Sequence, residues 1–560
     1  MRDRMAAGFI LGGLVATVAC SSGTSSSAPG CKASQASQVT LAVGGYVSFD
    51  PSADAGCATF PANASSVDSA EYLVVPQSTG GNPGGSAAFT LTDLTPSPAG
   101  PVPVVANRVA PPSGPGIRVP VAMRFDQFLR GVGRTQPLPS RTALAPQLAG
   151  GAAPAATPPT VGSKRSFAVC SNLQCTKFTT VGAKAQAVGA HVAIYVDTLA
   201  PPNGLDSADI DTLRQTFDAR LYTLATSTFG AVSDLDGNGV VIALMTPVVN
   251  ALVTTAQCDT AGYIAGFFFP PDLNLGLPTT QSNHGEVFYS VVADPTGTLS
   301  CAHSIATVKR VAPTTFVHEF QHMINYAQHI LLQSPPGPAS EEGWLDEGLS
   351  KYAEELAARS YLPGDTTTFH NYLDDNNLYD AYLYLNGPGN AFLLIPFDNG
   401  TLADVGASWL FVRYLVDQYG TSLPGMLDQT TLTGPANITT HTGAPDFSTL
   451  VARWALANWV SDLPGFTAPP ELTYTSWSFR AEFDSLHTKF PSHFSATYPL
   501  APTAVGGPQV DLTGKLNAGS GLYVRALQAP SAAGYTLFLS GPNPTSLSAV
   551  MPRLTVLRVR

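Results

Sequence analysis

The sequence predicts an α+β protein built from several domains. Three observations carry that expectation. The chain has 560 residues, more than one hydrophobic core sustains. Short apolar runs broken by Gly and Pro mark both ends and read as strands. Between them, strands come first and helices follow, instead of alternating. Only 12% of residues are charged, and 51 Gly and 47 Pro suit a secreted, loop-rich chain. The net charge is 28 − 39 = −11, and no basic cluster occurs, which argues against a nucleic-acid partner.

The elements follow in order. Arg2 and Arg4 precede an apolar run, Ala6 to Ala19, that is too short to span a bilayer but fits an export signal. Small residues before Cys20 resemble a bacterial lipoprotein processing site, although Thr17 stands where Leu is usual. Residues 1–20 are therefore expected to be a signal peptide with Cys20 lipidated, or a plain cleaved signal. Residues 21–30, "SSGTSSSAPG", form a flexible tether. The expected location is outside the cytoplasm, anchored to the outer membrane or secreted. No later segment is long and apolar enough to cross a membrane. Setting Cys20 aside leaves six cysteines, and an even number in an oxidising compartment suggests disulfides. Neighbour pairing gives Cys31–Cys57, Cys170–Cys175 and Cys258–Cys301.

Residues 31–133 carry "EYLVVPQ" and "AAFTLTDL", which read as strands of an N-terminal β domain, with a Pro density that argues against helices. Residues 134–165 form a Pro/Ala/Gly linker. Within residues 166–495, "HVAIYVDT", "VVIALMTPVV" and "EVFYSVVAD" read as strands. "DSADIDTLRQTFDARLYTLATSTFG" reads as a helix capped by Asp206 or Ser207. Beyond Tyr361 the chain is mostly helical, and Gly420 closes "ADVGASWLFVRYLVDQYG". Residues 496–560 return to strands as a C-terminal β element.

Two stretches carry chemistry. "TTFVHEFQHMINYAQHI" places His318, Glu319 and His322 on a helix whose apolar back runs through Phe316, Val317, Phe320, Met323, Ile324, Ala327, Ile330 and Leu331. The i, i+4 spacing sets both imidazoles on one face, as a tetrahedral metal site requires. His329 shares that face and reads as a surface imidazole. Downstream, "EEGWLDEGLSKYAEEL" offers Glu341, Glu342, Glu347, Glu354 and Glu355 as a third ligand. Counting favours Glu341: eighteen residues separate it from His322, a spacing that resembles that of several gluzincin metallopeptidases. Context favours Glu347, which lies opposite the stripe Leu345, Leu349, Tyr352 and Leu356. Glu354 is the candidate to support a ligand from behind.

"FVHEFQHMINY" followed by "WLDEGLSKYAEE" resembles the hyicolysin family of bacterial zinc metallopeptidases, and more broadly the gluzincins. The similarity runs from about Ser166 to Leu463. It implies a peptidase core of mixed sheet plus helical lobe, one catalytic Zn²⁺ on His318, His322 and Glu347, and Glu319 as general base. Asp346 stands where Asn is usual, beside the ligands. Proteins or peptides are the implied substrates. Gluzincins also supply a Tyr or His to the oxyanion, for which His370, Tyr372 and Tyr382 are candidates; spacing does not choose among them. Endopeptidase action is the leading expectation; the choice between it and aminopeptidase action stays open, although no Gly-Ala-Met-Glu-Asn-type amine-binding motif occurs.

A second ion is considered at "DLDGNG", where Asp234, Asp236 and Asn238 alternate as in a Ca²⁺ loop. Met245 occupies the twelfth position, where a bidentate Glu belongs, so an Asp/Gly-rich turn is the competing account. Two other functions fit the same chain: a cell-surface binding lipoprotein with a vestigial peptidase fold, or a zinc hydrolase of a non-peptide substrate.

Overall fold

The computed structural model describes residues 37–94, 120–136, 157–333, 339–397 and 400–560, apart from residues 52, 54, 55 and 544. The signal segment, Cys20, Cys31 and most of the expected linker lie outside the described residues. The fold is α+β, with mixed sheets and a large helical lobe.

Strands β1 (Ser37–Gln38), β2 (Tyr46–Phe49), β3 (Cys57–Phe60), β4 (Ala70–Ser78) and β5 (Ser86–Asp93) come first in the chain. The central sheet follows, with β6 (Lys164–Cys170), β7 (Phe178–Val188), β8 (Val192–Asp197), β9 (Val241–Met245), β10 (Gly266–Phe268) and β11 (Val287–Ser290). The last are β12 (Thr503–Gly506), β13 (Asp511–Asn517), β14 (Val524–Gln528), β15 (Tyr535–Ser540) and β16 (Pro552–Arg558).

The two ends of the chain do not form separate units. They interleave in two five-stranded sheets, ordered β1-β3-β15-β5-β13 and β12-β14-β4-β16-β2. This corrects the expectation of an N-terminal β domain distinct from a C-terminal β element. The sheets share one core, in which Phe60 on β3 meets Tyr72 on β4 edge-on at 5.0 Å and stacks on Tyr535 at 4.4 Å. β4 is buried along its whole length because it has two apolar neighbours. Tyr72 and Val74 face the sandwich, while Leu73 and Val75 face the main core. That double burial is why "EYLVV" reads as a continuous apolar run instead of alternating.

A second correction concerns Val121–Thr135, which is a helix despite the Pro-rich surroundings. Its prolines lie outside the helical stretch, with Pro120 as the N-cap. Phe125 and Leu129 are buried, and Phe125 meets Phe267 of β10 edge-on at 5.2 Å.

The central sheet has the order β10-β11-β9-β8-β7-β6. β8, β9 and β11 run parallel, and β10 pairs antiparallel at one edge. Local chemistry sets the boundaries. Asp206 and Asp209 form a capping box at the start of helix Ser207–Thr216. Thr246 caps Pro247–Asn250, so "TPVV" turns helical where a strand was expected. The motif helix, Ile305–Tyr326, starts at Ser304, whose side chain accepts from Thr307 N–H at 3.0 Å. The glutamate helix, Gly343–Arg359, packs against it and against Leu402–Tyr419. Disulfides join Cys170 to Cys175 and Cys258 to Cys301, two of the three neighbour pairs. None of the helices among the described residues is long and apolar enough to cross a membrane.

Candidate active site

The apolar back expected of the motif helix is buried at every position from Phe316 to Leu331 that was assigned to it. The opposite face is buried too, because the glutamate helix lies across it. His318 and His322 therefore project into a closed polar seam. Their Nε2 atoms lie 3.0 Å apart, with the rings crossed at 82°. Glu347 stands opposite both, its Oε2 3.6 Å from His318 Nε2 and its Oε1 3.5 Å from His322 Nε2. One ligand atom from each of the three lies within 4.8 Å of the others.

The far nitrogens are held separately. His318 Nδ1 bonds Glu354 Oε1 at 2.7 Å, and His322 Nδ1 bonds Asp346 Oδ1 at 2.9 Å. A carboxylate behind each ring fixes its orientation and tautomer and aims the Nε2 lone pair inward. Asp346 does this although Asn was the residue expected there. Glu354 is held in turn by Asn376 and by Lys351, whose ammonium also meets Asp380 at 3.2 Å.

Glu347 supplies the test of whether a metal ion fits. It is fully buried, yet neither carboxylate oxygen has a hydrogen-bond donor. A buried carboxylate without a partner is costly. Two imidazole nitrogens and this oxygen pair form a donor set suited to Zn²⁺, so the residues present fit the ion. The surrounding charge points the same way. Burial lowers the affinity of His318 for a proton, but Glu354, Glu319 and Glu347 outweigh it and push its pKa up to about 9. Burial and the nearby Arg130 hold His322 well below the usual imidazole range. The carboxylates around the pair thus favour a positive charge at His318.

Glu319 sits beside this centre, 4% exposed, and its Oε2 accepts from Phe268 N–H of β10 at 2.8 Å. Burial raises its pKa, against the pull of His318 and Arg130. A cleft of about 320 Å³ opens at this point, with Asp126, His318, Glu319, Glu354, Tyr372 and Asn376 among its walls. A larger groove of about 950 Å³, between the sandwich and the helical lobe, touches none of His318, His322 and Glu347.

The other candidates separate clearly. Glu341 accepts from Glu342 N–H, Gly434 N–H and Asn437 Nδ2, and it faces away from the imidazole pair. Glu342 takes the Trp344 indole, and Glu355 takes those of Trp409 and Trp477. His329 is fully buried, contrary to its reading as a surface residue, because the helix continues there as a π turn under Glu341. Of the three oxyanion candidates, only Tyr372 borders the cleft. His370 pairs with Asp374, and Tyr382 is engaged by Ser495 and Ala496. The Tyr372 hydroxyl is buried, with Tyr361 beside it.

At the "DLDGNG" turn, Asp234, Asp236 and Glu286 converge. Their oxygens are already used. Arg165 pairs with Asp236 at 3.1 Å, Gly239 N–H reaches Asp234, and Ser233 and Leu235 reach Glu286. Asn238 bonds Asp236 and Val240 N–H. The guanidinium stands where a cation's charge would act, and the turn carries no support for calcium.

Two residues at the site carry no motif. Asp126 and Arg130 come from helix Val121–Thr135, far upstream. Their i, i+4 spacing beside the apolar pair Phe125 and Leu129 is the one sequence signal that could have found them.

No protein-family model matches the chain. Over 257 residues it is 26% identical to the neutral metalloprotease ShpI of Staphylococcus hyicus, a stretch that covers 45% of this chain and 51% of that protein. The match thus spans about half the length of the curated relative.

Proposed function

We propose that the chain is a zinc-dependent endopeptidase that acts outside the cytoplasm, with His318, His322 and Glu347 as metal ligands and Glu319 as general base. The observation that carries this reading is the orphaned, fully buried Glu347 carboxylate facing two imidazoles whose outer nitrogens are already held. The similarity to a neutral metalloprotease supports it. The two disulfides and the N-terminal export pattern support the compartment.

When bound, the metal supplies Lewis acidity that acidifies water and polarises a scissile carbonyl. The chain's own residues do the rest. Phe268 N–H fixes Glu319 Oε2, which leaves Oε1 to take the proton of the attacking water and return it to the leaving amine. Glu354 and Asp346 keep both imidazoles aimed as charge shifts during the reaction. The enclosed seam excludes bulk water and strengthens each of these interactions. Tyr372 is the candidate donor to the oxyanion that its position beside the cleft supports.

The test is Glu319→Gln assayed on casein. Activity should fall by about 10²–10⁴-fold, the share usual for a positioned base, while bound zinc is unchanged. Hydrolysis by the wild type should also stop with 1,10-phenanthroline. Undiminished activity of the variant contradicts the assignment.

A further inference from the structure

We infer that Arg130 is a positioning residue for the metal centre, tying together the two walls that aim a ligand imidazole and the general base. The inference deepens the peptidase reading and rests on it for the roles of His322 and Glu319.

Arg130 is 4% exposed, and its guanidinium lies between the glutamate helix and β10. Nη1 donates to Asp346 Oδ2 at 3.4 Å, and Nη2 donates to Phe268 O at 3.2 Å. Each acceptor has a second task. Asp346 bonds His322 Nδ1 through its other oxygen, and Phe268 holds Glu319 through its own N–H. One rigid planar group therefore spans from the support of a ligand to the support of the base. A guanidinium suits this because its donors point in fixed directions, whereas an ammonium is a single point of attachment.

Neighbouring residues are shaped around the arrangement. At Gly343, the first residue of the glutamate helix, an added Cβ would meet Gln127 Oε1 at 2.9 Å and Arg130 Cβ at 3.3 Å. Glycine thus lets helix Val121–Thr135 approach close enough for Arg130 to reach Asp346. The helix is fixed at both ends of this contact. Phe125 packs on Phe267 of β10, and Arg134 donates to Ser340 O just before the glutamate helix. A guanidinium is buried at a cost unless acceptors meet it, and two of the three nitrogens of Arg130 are met here. Its presence here is accounted for by the two supports that it joins.

The experiment uses the full chain and four variants: Arg130→Ala, Arg130→Lys, Asp346→Asn and the double variant Arg130→Ala/Asp346→Asn. Zinc affinity is measured by chelator competition, casein hydrolysis at saturating zinc, and melting of the metal-stripped protein as a check on folding. Loss of a residue behind a metal ligand typically weakens binding or activity by about 10–100-fold. Arg130→Ala is expected at the lower end for zinc affinity, with kcat also reduced. Arg130→Lys should recover part of the zinc affinity. The double variant should bind zinc about as weakly as Asp346→Asn alone, because both act on one contact. Wild-type zinc affinity and kcat in Arg130→Ala would overturn the inference. So would losses that multiply in the double variant, or a variant faster than wild type, which would make the helix an obstruction in the cleft. A wild type that binds zinc but leaves casein intact contradicts the peptidase reading, while the affinity arm still decides the role of Arg130.

Discussion

Glu341 and Glu347 are both buried carboxylates six positions apart, and they differ in what surrounds them. Glu341 has three donors, whereas Glu347 has two imidazoles and no donor. Spacing from the histidines favours the first and helical facing favours the second, so facing proved the better guide to who meets the imidazoles. Burial raises the pKa of Glu341 to about 8, against the donors that lower it. The folded chain therefore keeps a proton that the unfolded chain releases above about pH 4.5. Its stabilising effect is complete below that pH and is lost as pH rises towards 8. Glu341→Gln cannot ionise. Urea unfolding should show the variant gaining on the wild type between pH 5 and 8, by at most about 1.4 kcal/mol per pH unit. A constant gap across that range contradicts the burial argument. At this scale the motif residues were legible because their spacing is itself the geometry. Arg130 and Asp126 were not, since nothing local marks a helix as the neighbour of a site nearly two hundred residues downstream.

Among the elements, the glutamate helix is placed by close contacts on its far side. At Gly348 an added Cβ would meet Val412 Cγ2 at 2.8 Å and Ser408 O at 2.9 Å. Glycine at this position lets the two backbones approach and keeps Glu347 and Glu354 at the depth of the imidazoles. Gly348→Ala must push the glutamate helix and Leu402–Tyr419 apart, and overpacking of this kind typically costs about 1–3 kcal/mol. The prediction is a loss of that size in urea unfolding, together with weaker zinc binding through displaced Glu354. Unchanged stability would mean that the contact relaxes freely. Amphipathic patterning made these helices readable. It misses Val121–Thr135 because Pro-rich sequence flanks the helix on both sides, although no proline lies between Pro120 and Pro137.

For the whole molecule, the two ends of the chain complete each other. β4 lies between β14 and β16, and β5 lies between β13 and β15, so C-terminal strands flank the N-terminal ones on both sides. Cutting after residue 500 leaves β4 with two open edges and uncovers Tyr72 and Val74. Such a truncation should express mainly as insoluble protein, because long apolar edges template aggregation. A soluble, zinc-binding fragment would show that the peptidase region folds without the sandwich. The strands themselves were readable from sequence, but their partners were not. Pairing across more than 400 residues leaves no local trace, and each end alone looks like a small β unit.

The central claim is that two imidazoles and Glu347 share one divalent ion. Its most direct test is the zinc content of the purified chain and of Glu347→Gln, after equilibration with zinc and removal of the excess. The account predicts one zinc per wild-type chain and far less than one in the variant. A variant that holds as much zinc as the wild type, or a wild type that holds none, contradicts it.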